Sequence, residues 1–166
     1  MDVLDYVLLA LRLWLGIVII AHGIGHARNV DGTAEWFASK GFHPARPIAR
    51  MSGLGELAIG AGLVLGLLTG PAAAGLIVTM TVAFWAVHRP AGFFVYARPD
   101  EGWEYVATLV VMASAVAVLG PGAVSLDAVL GIDEALDGWI GLLLVAGGIA
   151  AGAAQLALTW RAPDPD

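Results

Sequence analysis

Six ionisable side chains stand within or at the ends of the chain's long apolar stretches: Arg12, His22, His26, Glu56, His88 and Glu104. Such groups are costly in hydrocarbon and by default mark function. Three chemistries suit them. Imidazole and carboxylate coordinate divalent metals, but helical metal bundles use a Glu-x-x-His spacing. Neither that spacing nor His-Glu-x-x-His occurs, and His22 with His26, four apart, is a weak pattern alone. No metal is therefore assigned. Protonatable His and Glu beside aromatic rings can instead hold a headgroup that exchanges protons, such as a quinone. Trp85, Phe93, Phe94 and Trp103 are near in sequence. The third reading is structural, since groups at helix ends reach water cheaply. It applies best to His88 and Glu104, least to Glu56 and Arg12. His43 reads as a solvated loop residue.

The elements that carry these residues are apolar segments. The chain of 166 residues is 59% hydrophobic and 13% charged, against about 45–50% and about 25% in an ordinary globular domain. Five segments approach the roughly 17–25 residues of a membrane span: 4–25, 52–68, 72–88, 104–119 and 138–160. The expected fold is an all-α polytopic transmembrane bundle. Thr69-Gly70-Pro71 reads as the turn between the second and third spans, and Gly120-Pro121-Gly122 ends the fourth. Trp139 and Trp160 bracket the fifth, as aromatic residues do at the two interfaces.

Alternating directions bring His22, Glu56, His88 and Glu104 to one leaflet. That side, face B, receives Arg28, Lys40, Arg46, Arg50, Arg89, Arg98 and Arg161, whereas the loops of face A carry Asp127, Asp133, Glu134 and Asp137 and no Lys or Arg. The positive-inside rule places face B in the cytoplasm, with the N-terminus outside and the C-terminus inside. The first segment lacks a basic n-region and reads as a retained helix rather than a cleaved signal.

Within the first span Arg12, Gly16, Ile19, Gly23 and His26 share one stripe, with His22 on its edge. A buried Arg needs an acceptor, and Glu56 is the expected partner. Residues 33–40 predict a short interfacial helix capped by Thr33, either a lid or an anchor. Gly62/Gly66, Gly66/Gly70 and Gly148/Gly152 stand four apart and suit close helix packing within the chain; a homodimer face on the last helix is the second reading. The net charge of −6 argues against nucleic acid. The absence of Cys excludes disulfides and thiolate redox motifs in this chain.

The ordered motifs resemble those of the DoxX family of bacterial integral membrane proteins. Arg12 to His26 carries Arg-x-x-x-Gly and His-Gly-x-x-His; Trp36 to Pro44, Gly53-Leu54-Gly55-Glu56-Leu57 and Gly102-Trp103-Glu104-Tyr105 follow; Gly120-Pro121-Gly122 and Ser125-Leu126-Asp127 complete the set. The resemblance covers residues 6–131. It implies a four-helix core over 1–131, with 132–166 an added helix and short tail, in the bacterial cytoplasmic membrane. It also implies a link to membrane redox complexes, one subfamily resembling a subunit of a thiosulfate:quinone oxidoreductase. This chain departs from the family in having His26 where Lys is usual, and in its fifth helix.

These readings converge on an accessory subunit that supports redox chemistry near the quinone pool through membrane or peripheral redox partners. Quinone is the candidate cofactor, and activity as an enzyme in its own right is left open. The alternatives are a scaffold that recruits partners to the membrane, and a small-solute transporter gated at Arg12 and Glu56.

Overall fold

The computed structural model describes residues 1–96 and 101–163; Arg98, counted above for orientation, lies outside them. Helix α1 (Val3–Arg28) is opened by a capping box in which Asp2 and Asp5 accept each other's backbone N–H. It runs three residues past its expected end, to Arg28. The Asn29 side chain caps α2 (Val30–Ser39) by accepting from the Gly32 N–H. That displaces Thr33 from its expected capping role: its hydroxyl donates to the His26 carbonyl and ties α2 back onto α1.

Helix α3 (Ala45–Leu65) begins seven residues before the expected start at 52 and ends three before the expected 68. Pro47 falls in its first turn, where a missing N–H breaks no intrahelical bond. The expected turn at Thr69-Gly70-Pro71 is likewise the first turn of α4 (Thr69–Ala83), and α4 continues as a π-helical turn over Phe84–His88. Helix α5 (Glu104–Leu119) keeps its expected bounds. The short α6 (Leu126–Leu130) and a 3₁₀ turn (Asp133–Ala135) lead into α7 (Gly138–Thr159).

Four stretches, namely α1, α3, Thr69–His88 and α7, are long and apolar enough to cross a membrane. Helix α5 has 16 residues, about 24 Å at 1.5 Å per residue, and spans the same height. Its first turn meets the end of α4, where the Tyr105 hydroxyl reaches His88. Its far end meets α1, where Pro121 accepts from Arg12. The bundle is therefore polytopic and all-α, as the hydropathy predicts. Large apolar side chains such as Trp14, Leu54, Val111 and Leu143 stay exposed, as a hydrocarbon solvent permits.

Helices α1, α3, α4 and α5 close around a core of Leu15, Ile19, Leu63, Leu76, Ile77, Met80, Val106 and Val116. Helix α7 packs outside, on α4 and α5. Gly148 and Gly152 face α4, where a Cβ would meet the Ala74 carbonyl at 2.8 Å and Thr81 Cβ at 2.7 Å. That glycine pair is used inside the chain, as the intrachain reading expects.

The most extensive helix pairing is α1 with α3, and it is close. A Cβ on Gly60 would lie 2.8 Å from the Gly16 carbonyl, and one on Gly23 3.0 Å from the Gly53 carbonyl. Gly60→Leu is expected to push the two helices apart and to cost about 1–3 kcal/mol, as overpacking does. The unfolding midpoint in detergent reads it. Gly25→Ala is the control, since nothing lies within 4 Å of a Cβ there. An unchanged midpoint for Gly60→Leu would show that the pair is not tightly packed.

Candidate functional site

That close approach sets Glu56 against α1. Its side chain is 3% exposed. Ser52, one turn earlier on α3, donates from its hydroxyl to Oε1 at 2.7 Å. His26 Nδ1 stands 3.1 Å from Oε2 and 3.3 Å from the Ser52 oxygen. Oε2 has no hydrogen-bond partner of its own; His26 meets it at ion-pair distance only. Buried polar atoms are nearly always hydrogen-bonded, so an unsatisfied carboxylate oxygen beside an imidazole is a place where a ligand atom gains a bond. Phe37 of α2 lies edge-on to the His26 ring, with centroids 5.6 Å apart.

A second polar arm comes from the π-helical turn. There the Arg89 N–H donates to the Phe84 carbonyl, five residues back, at 2.8 Å. Such insertions often mark functional positions because they re-aim the side chains that follow. Here the side chain is His88, whose Nδ1 is 2.6 Å from the Glu101 carbonyl and whose Nε2 is 2.8 Å from the Tyr105 hydroxyl. A carbonyl only accepts, so Nδ1 carries the proton and Nε2 accepts from the phenol. The result is a hydrogen-bonded pair of groups with fixed orientation.

Both arms line one cavity of about 690 Å³, enclosed by α1, α3, α4, α5 and α7 under α2. Its walls are mainly apolar, and the size fits a small organic ligand. His22 contributes from α1 with its ring exposed. Four of the six sequence-predicted residues thus meet here: His22, His26, Glu56 and His88.

Two do not. Glu104 lies outside the cavity, and its Oε2 accepts from the Val95 N–H at 3.2 Å, fastening the preceding loop to α5. Tyr105, the next residue, faces the site instead. Arg12 sits at the opposite membrane face. It is fully buried and donates to three backbone carbonyls, from Nε to Pro121 at 2.8 Å, from Nη1 to Leu63 at 2.9 Å, and from Nη2 to Val124. The expected Arg12–Glu56 pair is therefore absent, and with it the gate that a transporter would have built from it. The aromatic expectation also changes. Phe93 packs on Phe94 and Trp103, and Trp103 on Phe84, while the aromatic rings lining the cavity are Trp36, Phe37, Phe42 and Tyr105. Among the described residues no three His, Asp or Glu side chains gather closely enough to hold a metal ion.

The DoxX family model matches residues 7–89, from the first turns of α1 through the π-helical turn. The chain belongs to the DoxX family. The match takes in Arg12, both α1 histidines, Glu56 and His88, and stops before α5. Neither the curated proteins nor the solved structures contain a match to the chain. For this DoxX family member the site is therefore built from the geometry alone. Sequence reasoning missed Ser52 and Tyr105. Each carried a signal: Ser52 stands four residues before Glu56 on one helix, and Tyr105 opens a span opposite His88.

Proposed function

We propose that this DoxX family member is an accessory subunit that binds the headgroup of a lipid-soluble quinone and supports redox chemistry carried out by partner proteins. One observation carries the reading: a mostly apolar cavity holds two separate protonatable arms, His26–Glu56 and His88–Tyr105. A quinone presents two oxygens on an apolar ring and takes up protons when reduced, which matches that lining. The electrons come from a partner, because the chain has no Cys and no recognised cofactor motif.

The charge pattern supports the location. Of the described residues, Arg28, Lys40, Arg46, Arg50, Arg89 and Arg161 lie at the cavity end of the bundle, while Asp133, Glu134 and Asp137 lie at the other. The positive-inside rule then orients the cavity toward the cytoplasmic leaflet of a bacterial cytoplasmic membrane, with the N-terminus outside and the C-terminus inside.

The test is titration of a short-chain benzoquinone into the purified protein in nanodiscs, read by quenching of tryptophan fluorescence. Saturable binding is expected. Loss of one hydrogen bond to a charged or strongly polarised group costs about 1.5–3 kcal/mol, so Glu56→Gln and His88→Ala should each weaken binding by about tenfold or more. Absence of saturation, or wild-type affinity in both variants, ends the proposal.

A further inference from the structure

We infer that the gap between α3 and α7 is a lateral portal that takes the apolar tail of the bound ligand, so that the ligand arrives from the bilayer and not from water. The inference rests on the quinone reading for its headgroup but makes a separate claim about the tail.

Helices α3 and α7 form no packed interface with one another; each packs on α4, which is the floor between them. The same cavity that holds Glu56 and His88 continues into that gap. One wall is Met51 and Gly55 of α3, the other Ala151, Ala154 and Leu158 of α7. Met51 and Leu158 are 73% and 79% exposed, so the mouth opens on the surface that faces lipid. The walls behind it are small. A Cβ on Gly55 meets nothing within 4 Å, and the alanines add only methyl groups.

At the water-facing end a clasp covers the α7 side of the cavity. Backbone pairing joins the α2–α3 loop to the end of α7: the Arg161 N–H donates to Gly41 at 2.9 Å and the His43 N–H to Thr159 at 2.7 Å. The Trp160 indole N–H adds a bond to the Lys40 carbonyl at 2.8 Å. Beneath this clasp Phe37 and Phe42 are buried with ring centroids 5.3 Å apart. An apolar channel clasped on its α7 side, open to hydrocarbon and ending at two protonatable arms fits an amphiphile whose headgroup lies inward and whose flexible tail lies between α3 and α7.

A benzoquinone carrying an isoprenoid tail with a terminal diazirine tests this on the full chain in nanodiscs, alongside its tail-less parent. Tail crosslinks are expected within residues 51–59 and 151–158. Ala154→Trp and Gly55→Leu, one on each wall, should abolish them while leaving the affinity for the tail-less parent unchanged. Crosslinks spread over the outer faces, for example at Trp14 and Leu143, overturn the portal while tail-less binding preserves the quinone reading. Crosslinks at the portal from a diazirine phospholipid that excess quinone does not displace also overturn it, and make the gap a lipid site. If neither quinone binds, both claims fall.

Discussion

Arg12→Ala is expected to remove most of the folded protein. The guanidinium is wholly buried and supplies donors to Pro121, Leu63 and Val124. Leu63 is in the last turn of α3, where its carbonyl otherwise has only the Gly66 N–H at 3.3 Å. The other two carbonyls belong to the turn that returns the chain from α5 toward α6. One planar, forked side chain thus ties three segments at face A, a task that suits guanidinium geometry and not a single ammonium. Asp127 is close enough to act on its charge. Deleting one member of a buried charged network costs about 3–5 kcal/mol, a large part of the roughly 5–15 kcal/mol that holds a domain folded. The yield of monodisperse protein and its unfolding midpoint should both fall sharply, with Arg12→Lys intermediate. A midpoint near that of the wild type would mean that the three carbonyls find water or other donors. The absent Arg12–Glu56 pair gives a second check. The losses from Arg12→Ala and Glu56→Gln should add within about 0.3–0.5 kcal/mol, as distant sites do, and strong coupling would restore the discarded pairing.

That discarded pairing shows what the amino-acid sequence could and could not convey. Apolar length and charge alternation carried the helices, their directions and the gathering of His22, His26, Glu56 and His88 at one end, because each depends on local composition. The stripe of Arg12, Gly16, Ile19, Gly23 and His26 followed from helical period alone; the first four are buried and His26 is half-buried. The acceptors of Arg12 could not be read in this way. They are backbone carbonyls, two of them more than a hundred residues distant, and a carbonyl leaves no mark in the sequence. The late start assigned to α3 has a related cause. Arg46 and Arg50 read as charges of a polar loop, whereas both lie in the first turns of the helix. The aromatic lining was misplaced because nearness in sequence to Glu104 favoured Phe93 and Trp103, whereas α2 folds over the cavity and brings Phe37.

The two ends of the bundle do different work. Face A is joined through backbone and buried charge. Face B holds the open volume, the unsatisfied Glu56 oxygen and the π-helical turn. Rigid closure at one end leaves the other free to keep a gap between α3 and α7 without loss of register among the spans.

The lock at face A yields a further sharp prediction, at Asp127, which is 1% exposed. Its Oδ1 accepts from the Leu68 N–H at 2.7 Å and its Oδ2 from the Thr69 N–H at 2.8 Å, capping α4 from outside the helix. Its own N–H donates to Gly66 at 2.8 Å. Gly66 sits at φ 63° and ends α3; a Cβ there would stand 2.5 Å from Arg12 Nη1. Leu68 is also left-handed, at φ 48°, a conformation that costs a residue with a side chain about 1–2 kcal/mol. Asp127 is what holds it there. Asn cannot replace the carboxylate, because one of its two positions becomes an NH₂ that faces a backbone donor. Asp127→Asn should therefore lose at least one charge-assisted bond, about 1.5–3 kcal/mol, and lower the unfolding midpoint nearly as far as Asp127→Ala. Leu68→Gly in the Asn background should recover part of the loss by removing the left-handed strain. Combined with Arg12→Ala the loss should be less than additive, since both residues secure the Gly66 junction. Wild-type stability for Asp127→Asn would show that a single oxygen suffices and that α4 needs no second cap.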